Sequence, residues 1–393
     1  MALAHFLSRK RLIVVGLNSG TSADGLDLAA ISVEFSRRKS KVKFLSGKAV
    51  SYPPSLSREV QTAIAGHLLS VDKLAMLDRK LGFFFGTETA RFCAALRRRR
   101  LPPLLIGSHG QTIRHLPGKL HLAGRKEGAT LQLGHPETIA AICGLPVIAD
   151  FRQADIGVGG EGAPITVYPM HLLFTDRREN RLLVNIGGIA NYFFFPAGSS
   201  ADQAVARDCG PGNSLLDLAA ARFIGKKYDR DGKMAAKGRI SIRLLTLLLS
   251  DNYLKGKYGN STGRERFGAA FLDKALRYAK SLGLSRQDIM ATLVELTAYI
   301  VAREVRTYLE SYRIPRLYLF GGGLKNRFLV ERLKSNLFTT EILSVKELGV
   351  EPDYLEAECY ALMAALTIKE VAIGLPQITG ARKKTIAGRI IIN

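Results

Sequence analysis

Cysteine is scarce in this chain: four residues in 393, at 93, 143, 209 and 359, with no C-x-x-C pair among them. That spacing argues against a structural zinc site and fits a reducing compartment. Long apolar runs are also missing; none reaches the roughly 18 residues that a membrane span requires. The N-terminal "MALAHFLSRKRLIVVG" has too short an apolar patch for a signal sequence, and its basic residues follow that patch instead of preceding it. An untargeted cytoplasmic protein is expected. No segment is of low complexity, and no long Pro/Ser linker divides the chain.

Acidic residues are the other shortage, 34 Asp+Glu against 57 Lys+Arg, for a net charge of +23. Such an excess can serve a nucleic acid. Here the basic residues are spread along the sequence, and the run Arg97–Arg100 closes a helical stretch, where cations complement the helix dipole. There is no zinc-finger spacing, no RNP-like aromatic pattern and no basic-region heptad, so nucleic-acid binding is not expected as the primary function.

What is present is core-forming material, 47% hydrophobic residues, in a length that suits about two domains. Apolar strands alternate with helical stretches, which predicts an α/β protein. Strands are expected at 12–15, 26–35, 104–107, 147–151, 182–186, 192–195 and 317–320. Helices are expected at 71–96, 136–143, 214–223, 285–312, 327–333 and 354–373. In the long helix, Ile289, Leu293, Leu296 and Ile300 recur on one face.

The stretch "LIVVGLNSGTSADGLDLAAI" at 12–31 sends a buried strand into a turn of Gly, Ser and Thr with two acids. It fits a hairpin whose glycines supply φ > 0. It also fits, though less readily when taken alone, a phosphate cradle, in which small residues let backbone N–H groups approach an anion while hydroxyls and a carboxylate serve its metal. A second strand–turn–strand unit, "RLLVNIGGIANYFFFP", starts about 170 residues later, close to one domain length. Two similar lobes are therefore expected. A third glycine turn, "LYLFGGGLKN", lies between a strand and a helix, so its N–H groups face a helix N-terminus.

Further clusters follow in order: "GSHGQTIRHLPG", "ADFRQADIGVGGEGAPI", "NIGGIAN", "RDCGPGNSLLD", "STGRERF", "FGGGLKN" and "EPDYLEAECYA". Together, from about residue 16 to 380, they resemble the anhydro-N-acetylmuramic acid kinases of bacterial cell-wall recycling. The resemblance implies an α/β fold of two ribonuclease H-like lobes, with a nucleotide- and sugar-binding cleft between them, in the sugar-kinase/actin/chaperone ATPase superfamily. The expected lobes are 1–165 and 166–393, the last helix being free to pack back on the first. The implied enzyme uses ATP and water to open 1,6-anhydro-N-acetylmuramic acid and phosphorylate O6. A homodimer is implied, with Mg²⁺ beside the ATP.

The same resemblance distributes the roles. Gly20, Thr21, Ser22, Ala23, Asp24, Gly25, Leu26 and Asp27 match the ATP phosphate loop, with Asp24 nearest the metal. Gly187 and Gly188 match a second phosphate turn, and Gly321, Gly322 and Gly323 a nucleoside-side turn. Asp208 matches the catalytic aspartate, in a turn that Gly210 and Gly212 keep open. Glu356 matches an acid that contacts the sugar, and His109, Gln111 and Asn213 are assigned to the substrate. Arg152 either pairs with Asp155 to order its loop or helps bind substrate, and Arg264–Arg266 is expected to be structural. The sequence departs from the pattern at Asn18 (usually Met), Ala23 (usually Leu), His135 (usually Asp or Asn) and Glu161 (usually Gln). Glu161 bears most directly on sugar selectivity, because an ionised carboxylate accepts hydrogen bonds where an amide also donates. A kinase for another sugar and a non-catalytic nucleotide-binding regulator are the alternative readings.

Overall fold

The computed structural model describes residues 3–20, 23–36, 40–66, 70–122, 124–255 and 266–392. Its strands are β1 (Arg11–Ser19), β2 (Gly25–Glu34), β3 (Lys41–Ser51), β4 (Leu105–Leu122), β5 (Arg125–Leu133) and β6 (Val147–Ala149). They continue with β7 (Arg181–Ile186), β8 (Ile189–Phe195), β9 (Val205–Pro211), β10 (Arg316–Phe320), β11 (Glu341–Ser344) and β12 (Arg389–Ile391). Two compact units result: Met1–Leu173 with Tyr354–Asn393, and Phe174–Asp353. The chain thus changes unit after Leu173 and again after Asp353; lobes of 1–165 and 166–393, with the last helix free to pack back on the first, were expected.

The first unit holds a sheet of order β12-β6-β4-β1-β2-β3, with β5 paired to β4. β1, β2 and β3 form an antiparallel meander, while β4 runs parallel to β1 and β6 parallel to β4. The second unit has the order β11-β10-β7-β8-β9: an antiparallel meander β7-β8-β9, with β10 parallel to β7 and β11 parallel to β10. The two sheets share one topology, the ribonuclease H-like order expected of a duplicated lobe.

β1 reads as a nearly unbroken apolar run because both of its faces are covered. Val15 and Leu17 join the core under the helix Val71–Arg98, whereas Leu12 and Val14 face the buried helix Leu355–Ile368. The two-residue period therefore sends Asn18 toward that second helix and Ser19 toward the first. Glycine makes the helix contact close. A Cβ on Gly16 would lie 1.8 Å from the Ala357 carbonyl oxygen, and one on its register partner Gly107 would lie 2.2 Å from that of Tyr360. In the second unit the helix Arg286–Ser311, capped by Ser285 with Asp288, packs its apolar residues against the sheet.

Candidate active site

In the first unit the turn between β1 and β2 closes a true hairpin, with pairs from Arg11↔Glu34 to Asn18↔Asp27. Ala23 takes φ 53° and its N–H donates to the Gly20 carbonyl at 3.1 Å. Asp24 is exposed and Asp27 half-buried. Leu26 puts its side chain into the core, as does Ala23, so these two can serve a ligand only through their backbone. Thr21 and Ser22 lie outside the described residues.

Beneath the turn sits a polar cluster. Ser19 Oγ lies 2.8 Å from the Gly25 carbonyl, 2.6 Å from Tyr52 Oη and 2.7 Å from Gln111 Oε1. Gln111 Nε2 donates to the carbonyls of Gly20 (3.3 Å) and Thr112 (3.2 Å). Burial, and then the nearby carboxylates of Asp24 and Asp27, push Tyr52 up against an opposing hydrogen bond from Ser19, so the phenol keeps its proton.

His109 is buried and stacks on Tyr360, ring centroids 4.5 Å apart. Arg152 Nε donates to His109 Nε2 at 3.1 Å, which places the imidazole hydrogen on Nδ1. Burial, then the Arg152 charge, hold His109 well below its ordinary pKa, and the same two causes bring His115 to about 4. His109 is thus a neutral group. Its Nδ1 has no hydrogen-bond partner among the described residues.

Arg152 and Asp155 do not pair with each other; they clamp the same glycine. Arg152 Nη1 donates to the Gly162 carbonyl (2.7 Å), while Asp155 Oδ2 accepts from the Gly162 N–H (2.8 Å) and Oδ1 from the Thr379 hydroxyl (2.7 Å). Glu161, on this loop, is exposed, and burial of its surroundings followed by the Asp155 charge raises its pKa. Asn18 Nδ2 donates to Glu356 Oε2 at 2.7 Å. Glu356 reaches solvent, yet protein crowds it enough that desolvation raises its pKa, partly offset by Asn18 and Arg152.

In the second unit the glycine turns and Asn213 come together. The helix Asn213–Ile224 begins on the Gly187–Gly188 turn: Asn213 N donates to the Gly187 carbonyl (2.8 Å), and Ser214 N and Oγ donate to that of Gly188 (3.1 and 2.7 Å). Asn213 Nδ2 donates to the Ile186 carbonyl (2.9 Å), so this amide braces the turn. A Cβ on Gly321 would meet Asn185 Oδ1 at 2.3 Å, and one on Gly323 would meet the Ile186 side chain at 2.4 Å. Gly212 likewise has no room for a Cβ, 2.4 Å from the Gly187 carbonyl oxygen.

Asp208 lies within β9, opposite Asn191, and not in the turn expected from its neighbouring glycines. Its half-buried position is fixed from behind. Tyr253 Oη donates to the Asp208 carbonyl at 3.0 Å, and the Arg266 guanidinium stands 5.9 Å over the Tyr253 ring while reaching Asp251 at 3.3 Å. Arg266 thus makes contacts that order this region; Arg264 and Glu265 lie outside the described residues. Tyr52, Tyr253 and Thr379 went unnoticed in the sequence, being single polar residues with no motif around them. Ser19 and Asn18 carried a signal, their place at the end of a buried strand.

Residues 12–393 match the family model described as anhydro-N-acetylmuramic acid kinase. The chain is 34% identical over 394 residues to an anhydro-N-acetylmuramic acid kinase of Caldanaerobacter subterraneus subsp. tengcongensis, covering 99% of each. It is 38% identical over 376 residues to one of Coxiella burnetii, covering 96% of each. Among solved structures, component A of the (R)-2-hydroxyglutaryl-CoA dehydratase of Acidaminococcus fermentans is 13% identical with a TM-score of 0.42, over 91% of this chain and 99% of that one. The whole-length match, carried by a chain that keeps its glycine turns and Asp208, identifies the protein as a member of the anhydro-N-acetylmuramic acid kinase family.

Proposed function

We propose that the protein is an ATP-dependent kinase that hydrolytically opens 1,6-anhydro-N-acetylmuramic acid and phosphorylates O6, giving N-acetylmuramic acid 6-phosphate for cell-wall recycling. The observation that carries this reading is family membership over residues 12–393 in a chain that retains Asp208. In the proposed step the water oxygen bonds to C1 as the C1–O6 bond breaks, in the manner of inverting glycoside hydrolysis. O6 takes the γ-phosphoryl group, ADP leaves, and the proton of the water passes to the Asp208 carboxylate.

In this reading the turn Gly20–Asp27 is assigned to the phosphates, and Gly187, Gly188 and Gly321–Gly323 to the nucleotide. Mg²⁺ suits this donor set: it is held by one or two carboxylates together with substrate phosphates and water, and Asp24 offers an exposed carboxylate. Among the described residues no cluster of three or more His, Cys, Asp or Glu forms a metal cage. When bound, the ion offsets phosphate charge. Glu356 and the neutral His109 are assigned to the sugar. Burial of its surroundings and the Asp155 charge raise the pKa of Glu161 from its ordinary value. A cytoplasmic homodimer belongs to the same proposal, and light scattering tests the dimer.

The test is mass spectrometry of protein incubated with Mg-ATP and 1,6-anhydro-N-acetylmuramic acid, beside Asp208→Asn. A product heavier by one phosphoryl group (HPO₃) and one water, formed about 10²–10⁴-fold more slowly by the variant, is expected. Consumption of ATP only with another sugar would refute the substrate. Full turnover by Asp208→Asn would refute the base.

A further inference from the structure

We infer that Gln111, acting through Ser19 and Tyr52, is a positioning residue for the phosphate turn and so governs nucleotide binding, not the sugar. The inference rests on the proposed reading of Gly20–Asp27. Its geometry begins in the sheet. Between Leu17↔Ser108 and Ser19↔Gln111, β1 advances two residues while β4 advances three, so β4 carries a bulge. A bulge re-aims the side chains that follow it. Gly110, at φ 76° with Leu133 backbone 2.8 Å from where a Cβ would lie, permits it.

The re-aimed Gln111 is completely buried. Two carbonyls, of Gly20 and Thr112, stand at one end of its amide, which fixes the NH₂ there and the oxygen toward Ser19 and Tyr52. Ser19 in turn touches the Gly25 carbonyl. One amide thus reaches Gly20 directly, and its oxygen can accept from Tyr52 Oη while the single Ser19 proton goes to the Gly25 carbonyl, so the same cluster touches both glycines that flank the turn. Tyr52 adds a second tie: its backbone N–H donates to the Asp24 carbonyl at 2.9 Å. With no exposed surface and both ends of its amide engaged, Gln111 has nothing to offer a sugar.

The decisive variant is Gln111→Met, which keeps a similar length but can neither donate to the Gly20 carbonyl nor accept from Tyr52. Isothermal titration with Mg-ATP in the absence of sugar should show affinity weakened about tenfold. KM for ATP should rise in step, with KM for the sugar unchanged. Tyr52→Phe, which removes one hydroxyl and keeps the ring, should weaken Mg-ATP about threefold, and it decides the matter if Gln111→Met does not fold. Lowered thermal stability with unchanged Mg-ATP affinity would overturn the inference, as would a rise confined to KM for the sugar. Asp24→Ala separates the two levels: if it too leaves Mg-ATP affinity unchanged, the reading of the turn itself has failed.

Discussion

Replacing Gly16 by Ala should be among the most damaging single-methyl changes in the first unit. A carbon normally approaches a carbonyl oxygen no closer than about 3.3 Å. A Cβ at position 16 would lie 1.8 Å from the Ala357 oxygen and 2.6 Å from the Ala361 nitrogen, both backbone atoms of a buried helix. No rotamer change relieves this; helix and strand must separate by roughly 1.5 Å. Overpacking costs about 1–3 kcal/mol when side chains can adjust, so about 3 kcal/mol is expected against backbone. In a unit of this size that lowers Tm by about 6–12 °C. The displaced helix carries Glu356 away from Asn18, and misplacement of about 1 Å can lower kcat/KM about 100-fold. Differential scanning fluorimetry and steady-state kinetics measure both, with Gly128→Ala as control, since a Cβ there meets nothing nearer than 3.7 Å. If Gly16→Ala melts within about 1 °C of that control, the close strand–helix contact is not as described.

Two further outcomes follow from named contacts. Asn18 donates to Glu356 and favours its charged form, so Asn18→Leu should raise the Glu356 pKa still further. The limb of the pH–kcat/KM profile that reports Glu356 should then move to higher pH, and a limb that stays or moves down contradicts the pairing. Arg332→Met strands Glu295, 5% exposed and bonded to Arg332 Nε at 2.6 Å and Asn336 Nδ2 at 3.0 Å. Urea denaturation should show a loss of about 3 kcal/mol, largely recovered in Glu295→Leu/Arg332→Met, and a loss below about 1 kcal/mol would refute the assignment.

The central strands were legible because burial on both faces leaves a nearly continuous apolar signature, as in β1, β7 and β10. The long helices were legible through their spacing and caps. The missed strands have weaker patterns. β3 is a half-exposed edge strand, β9 carries Arg, Asp, Gly and Pro, and β11 and β12 are short edges. At the candidate site, glycine turns announce themselves because φ and close approach restrict the residue type. Gln111 was noticed for its motif, but its orientation depends on a bulge, and a bulge is a property of two strands at once. The sequence likewise gave no hint that Arg152 and Asp155 hold Gly162 instead of each other.

The helix Leu355–Ile368 lies against β1, more than three hundred residues earlier in the chain, with the second unit encoded between them. This reverses the usual order of maturation on the ribosome, in which the N-terminal portion of a chain settles first. The segment Phe174–Asp353 is contiguous and is expected to become protease-resistant while the first unit still lacks the wall that covers Gly16 and Gly107. Nascent chains arrested just before Tyr354, probed by limited proteolysis, should yield a protected second unit and a cleavable first one. A chain that ended before the helix Leu355–Ile368 would carry its first glycine-rich segment on a strand with one face bare.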